Sequence, residues 1–244
     1  GEVCINVRVK DKAGNVSVKK NRKIKIDTIS PRIYVEYDNN DVKSKSSDGR
    51  GYFNRKRIAK LTVTEENFNE DKALDYINIY IKKENDKEYR QISAKELLQG
   101  VWQNKGNEHS IKLKFDPEAG YIFKPAYTDE AGNDNEDVIY GNAETPEKFI
   151  IDTTKPDALI FIKDKEWMFR GFKSSLKYNR YSAKSLETGV ESCDGMSGIK
   201  NVSYCIMSDS EKDIKSMKWK EYTGTFMINQ RGNQVVYARV EDYA

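Results

Sequence analysis

The sequence predicts an all-β protein, a string of antiparallel sandwiches with one or two short helices, on three observations. Ile and Val total 36 residues against 13 for Leu and Met. Branched side chains pack well on a pleated surface, whereas unbranched ones favour helices. Apolar and polar residues alternate in run after run, the period of a strand with one buried face. Finally, one strand–turn pattern recurs with its Asp residues 118 and 113 positions apart, too long a period for a solenoid repeat and suited to successive sandwiches.

The repeated pattern explains the local structure. Its three copies are Ile5-Asn6-Val7-Arg8-Val9-Lys10-Asp11-Lys12-Ala13-Gly14-Asn15, Ile122 to Asn133, and Val236 to Ala244. Before each Asp the apolar residues alternate, as in Ile5, Val7 and Val9 or Val236, Ala238 and Val240. Pro125 weakens the second copy, because proline cannot donate to a central ladder. Asp11, Asp129 and Asp242 can accept from backbone NH groups just ahead and so start a turn. Gly14 and Gly132 can adopt positive φ, and Asn15 and Asn133 tolerate it. The pattern therefore predicts a tight turn joining antiparallel strands, returning along Val16–Ile26 and, less regularly, Asn135–Ile151.

A second repeat punctuates the chain. Ile26-Asp27-Thr28-Ile29-Ser30-Pro31 matches Ile151-Asp152-Thr153-Thr154-Lys155-Pro156, with the Asp residues 125 apart. Proline forces extended geometry on the residue before it, and a new apolar strand follows each copy. These segments mark boundaries: residues 1–27 read as the last two strands of a truncated module, 28–153 as a complete module, and 154–244 as a module missing its last strand. The chain thus reads as an excerpt. Within 28–153, Ser93 and Glu96 have capping-box spacing and Gly100 offers a stop, which predicts one short helix.

These residues carry a resemblance. Strand–Asp-x-Ala-Gly-Asn–strand–Asp-Thr-x-x-Pro resembles the bacterial immunoglobulin-like repeats of large secreted and cell-wall-attached proteins. Phe53-Asn54-x-x-Arg57-x-Ala59-x-Leu61-Thr62-Val63-Thr64-Glu65-x-Asn67-Phe68 is similar to the early strands of one subgroup, and Ser197-Gly198-Ile199 … Trp219-x-x-Tyr222 … Asp242 to a second. The resemblance implies tandem immunoglobulin-like sandwiches in an extracellular setting and a structural, spacing or adhesive role. The partners it implies are neighbouring repeats of the same chain and a host or cell-wall glycan or protein.

Other functions lack support. Lys and Arg number 42 and Asp and Glu 39, a net charge of +3, so no uniform field invites nucleic acid. No apolar run approaches the roughly 18 residues that a transmembrane helix needs. His109 is the only histidine, and no triad, phosphate loop or Cys/His metal spacing is present, so the chain reads as non-catalytic and without a cofactor. Calcium is the metal the acidic clusters Asp38–Asp41 and Asp129–Asp137 would take. The first cluster lies away from either boundary, and both read more simply as solvated loops, leaving no assigned metal site. Trp102 and Trp219 occupy comparable places and read as core aromatics. The dense run Trp167–Phe172 could form an exposed patch, though a buried edge fits it better. Cys4, Cys193 and Cys205 read as free thiols. The short basic run Asn54-Arg55-Lys56-Arg57 reads as a soluble strand edge. An adhesin or glycan-binding module, and an accessory region of a secreted enzyme, are the alternatives to a structural stalk.

Overall fold

The computed structural model describes residues 1–141, 143–163, 168–169, 185–208 and 217–244. Strands hold 52% of the described residues and helices 5%, so the all-β expectation is met. The first element is a hairpin of β1 (Glu2–Val7) and β2 (Lys20–Lys25). It stands apart from the core, with Val3, Ile5, Val7, Ile24 and Ile26 exposed.

The central sandwich follows. Its strands are β3 (Arg32–Tyr37), β4 (Ser44–Lys45), β5 (Gly51–Phe53), β6 (Arg57–Thr64), β7 (Asn78–Lys82), β8 (Arg90–Ile92), β9 (Leu98–Lys105), β10 (Glu108–Phe115), β11 (Ala119–Lys124), β12 (Val138–Tyr140) and β13 (Lys148–Ile151). One sheet runs β12-β3-β6-β10-β9 and the other β4-β5-β13-β11-β7-β8. Alternate residues of both sheets meet in one core: Ile33, Val35, Leu61, Val63 and Leu113 from the first, Phe53, Ile79, Tyr121, Phe123 and Phe149 from the second. Phe115, Tyr121 and Phe149 make edge-on and stacked ring contacts at 5.1–5.4 Å.

The C-terminal part has β14 (Asp157–Lys163), β15 (Met168–Phe169), β16 (Leu186–Cys193), β17 (Ile199–Ser208), β18 (Lys220–Glu221), β19 (Phe226–Ile228) and β20 (Gln234–Asp242). They form the sheets β15-β14-β16-β19 and β18-β17-β20.

The hairpin and the sandwich share a register. Glu2, Val3 and Cys4 pair with Lys25, Ile24 and Lys23. Shifted by the 118 and 125 positions of the two sequence repeats, these become Gly120, Tyr121 and Ile122 paired with Ile150, Phe149 and Lys148, the pairing of β11 with β13. Val3 and Ile24 are exposed where Tyr121 and Phe149 are fully buried. The turn copies match as well. Gly14 and Gly132 have φ of 95° and 90°, values open to glycine alone without strain.

Several local expectations need correction. The return from the second turn is not one strand: β12 crosses to pair parallel with β3, and β13 then pairs back with β11. β13 also pairs parallel with β5, so the sheets are not purely antiparallel. The Ser93 capping box forms, with Ser93 Oγ accepting from Lys95 N at 3.2 Å and Ser93 N donating to Glu96 Oε1 at 3.3 Å. It starts only the 3₁₀ turn Ala94–Leu97, because the chain becomes extended at Leu98. Gly100, at φ 93°, lies inside β9 rather than ending a helix. A helical turn, α1 (Glu70–Ala73), is capped instead by Asn69 Oδ1, which accepts from Asp71 N and Lys72 N.

Candidate cation sites at the boundary segments

The turn Asp and the boundary Asp, which sequence reasoning treats as separate structural signals, come together in space. Asp27, Glu65 and Asp129 bring carboxylate oxygens within 4.8 Å of one another, and so do Asp152, Asp194 and Asp242. In each trio one acid is the boundary Asp, one is the turn Asp, and the third follows a strand of the sandwich side. Glu65 comes directly after β6, and Asp194 directly after β16.

The first trio is built by local hydrogen bonding. Asp129 Oδ1 accepts from Ala131 N and Asn133 N, both at 2.8 Å, and Oδ2 accepts from Asn133 Nδ2 at 2.8 Å. The same bonds hold Asp11, at 2.9, 2.8 and 2.8 Å, so the motif folds alike wherever it occurs. Asn133 Nδ2 then reaches the Asp27 carbonyl at 3.2 Å, tying the turn to the boundary segment. Asn67 Nδ2 donates to Asp27 Oδ2, and Asn67 N donates to Glu65 Oε1 at 2.6 Å. His109 Nε2 lies 2.9 Å from the Glu65 carbonyl, while its ring stacks on Phe68 at 4.2 Å. The lone histidine thus holds the strand end bearing Glu65.

The second trio repeats the logic. Asp152 Oδ1 accepts from Thr154 N at 3.1 Å, as Asp27 Oδ1 accepts from Ile29 N at 3.1 Å. Asp152 Oδ2 accepts from Ser197 N at 2.9 Å, a bond between the boundary segment and the loop after β16. Asp194 Oδ1 gathers Met196 N, Ser197 N and Gly198 N at 3.1, 2.9 and 2.7 Å. Asp242 Oδ1 accepts from Ala244 N at 3.1 Å, the opening bond of the repeated turn. Around this trio the boundary is further tied: Thr153 N and Thr154 Oγ1 donate to Glu118 Oε1 at 2.9 and 2.8 Å. Ser44 Oγ donates to the Tyr243 carbonyl at 2.6 Å, and the Tyr52 and Tyr243 rings stack at 5.7 Å.

Charge is the unusual feature. Glu65, Asp129 and Asp152 are buried, and among the described residues no ion pair neutralises any of the six acids. Buried charges without a counter-charge are costly. At Asp129 burial acts to raise the pKa, and the bonds from Asn133, Ala131 and Gly132 outweigh it, so the carboxyl sits below its usual range. At Asp242 burial raises the pKa, and the charges of Asp152 and Asp194 push it the same way, outweighing the backbone hydrogen bonds from Ala244 and Asp242. Three hard oxygen donors converging from two sides of a boundary can coordinate a divalent cation, with calcium's preference for six to eight oxygens at about 2.3–2.6 Å leaving places for carbonyls and water.

The other candidate residues lie outside the two trios. Asp38 Oδ1 accepts from Ile58 N at 2.7 Å, and Asp41 pairs with Lys43 at 2.7 Å. Trp102 is partly buried against the core with Phe68 at 4.7 Å, and among the described residues its buried Nε1 has no hydrogen-bond partner. Trp219, expected in the core, is 38% exposed, because it precedes the two-residue edge strand β18 instead of lying inside a sheet. The three thiols are free, with only Cys205 buried. Of Trp167–Phe172, only the backbone of Met168 and Phe169 is described, and the rest of the expected patch lies outside the described residues. Among the described residues no helix is long and apolar enough to cross a membrane. No known protein family matches the chain, and no curated protein or solved structure matches it either.

Proposed function

We propose that this chain is a non-catalytic spacer segment of a bacterial cell-surface protein, in which a hairpin at 1–27 and immunoglobulin-like modules at 28–153 and 154–244 are held in line by cation-bridged boundaries. The observation that carries the reading is the recurrence of one arrangement at both boundaries: boundary Asp, turn Asp and a third acid within 4.8 Å. A lone acidic cluster is common on protein surfaces. Two clusters at matching places in a sequence repeat, each drawing on both sides of a boundary, have a shared cause. Fixing the angle between successive modules is the function such a bridge performs. The short connectors support the same end, since about five residues of extended chain around a proline leave neighbours little freedom. The resemblance noted in the sequence supports the extracellular setting, where calcium is abundant enough for sites with dissociation constants of about 10⁻⁴–10⁻³ M.

Small-angle scattering of the whole chain, with calcium and then with chelator, tests the spacer role. The reading expects a narrow distribution of end-to-end distances in calcium that broadens on chelation. An unchanged profile would remove the cation from the account, and a compact profile in both conditions would remove the spacer.

A further inference from the structure

We draw no further inference here: the strongest candidate, the bare apolar face of the β1–β2 hairpin formed by Val3, Ile5, Val7, Ile24 and Ile26, carries nothing because nothing in the structure shows what covers it.

Discussion

The guanidinium carbon of Arg57 lies 3.7 Å from the centroid of the Tyr37 ring, with no solvent exposure at Arg57. Phe53 and Phe149 close around the same group at 4.1 and 4.6 Å. Among the described residues no carboxylate pairs with it. Its donors go to the Asn39 and Thr145 carbonyls at 2.9 and 3.1 Å and to Asn40 Oδ1 at 3.2 Å. Burial lowers its pKa to about 10. The planar fork satisfies three acceptors while its face rests on aromatic rings, a geometry that lysine cannot copy. Arg57→Lys should therefore destabilise the central sandwich by about 2–4 kcal/mol. Arg57→Met, which removes the buried charge altogether, should cost less. Calorimetry of the whole chain reads both; equal losses would show that the fork geometry is immaterial.

The buried tyrosines predict an alkaline limit. Burial raises the pKa of Tyr37, Tyr121 and Tyr140 above the tyrosine value of about 10. Unfolded tyrosines ionise at that lower value, so the stability these groups contribute is complete below pH of about 10 and declines as pH rises toward the folded values. Absorbance titration of phenolate should show some tyrosines ionising early and the buried ones only as the fold melts. A single early wave comprising all 15 tyrosines, with native structure intact, would contradict the burial.

Turn chemistry gives a third test. Adding a Cβ at Gly132 meets nothing within 4 Å, so any cost of Gly132→Ala comes from its φ of 90° alone. About 1 kcal/mol is expected. Asp129→Ala should cost about 1–3 kcal/mol in chelator, because three part-buried hydrogen bonds lose their acceptor. Asp11→Ala, in the exposed copy of the turn, should cost less. Thermal melts of the three variants rank them, and a reversed order for the two Asp variants would break the link between burial and turn strength.

Most of the fold was legible in residue order, and the reasons for the exceptions are physical. Strand alternation marked β3, β6 and β10 because each buries one face only. Arg57 was misread as part of a soluble basic run. Yet counting back by twos from Val63 and Leu61 passes Ala59 and lands on Arg57, so the period contained the signal and the charge masked it. The parallel pairings of β12 and β13 were invisible, since nothing local distinguishes which neighbour a short strand will choose. The acid trios were half-visible. Asp27, Asp129, Asp152 and Asp242 stood out as turn and boundary residues, but their meeting with Glu65 and Asp194 is a tertiary fact.

The exposed hairpin should be the least protected part of the central and N-terminal structure. It has two strands and no buried side chain, and isolated two-stranded hairpins are marginal. Hydrogen exchange should proceed at the β1–β2 amides well before those of β6, β10 and β11. Equal protection would mean that something covers the Val3–Ile24 face in solution.

Asp242 separates a bridged boundary from a bare one by sign. With chelator present, Asp242→Asn removes a partly buried charge that Asp152 and Asp194 oppose, so the melting midpoint should rise. In millimolar calcium the same change removes a ligand, and the midpoint should fall relative to the parent chain.

The most direct measurement is calorimetric titration of the intact chain with calcium. The account predicts two bound ions per chain, one lost in Asp27→Asn and the other in Asp152→Asn, with the fold of each variant retained. Absence of binding at millimolar calcium, or binding that survives both substitutions together, would contradict it.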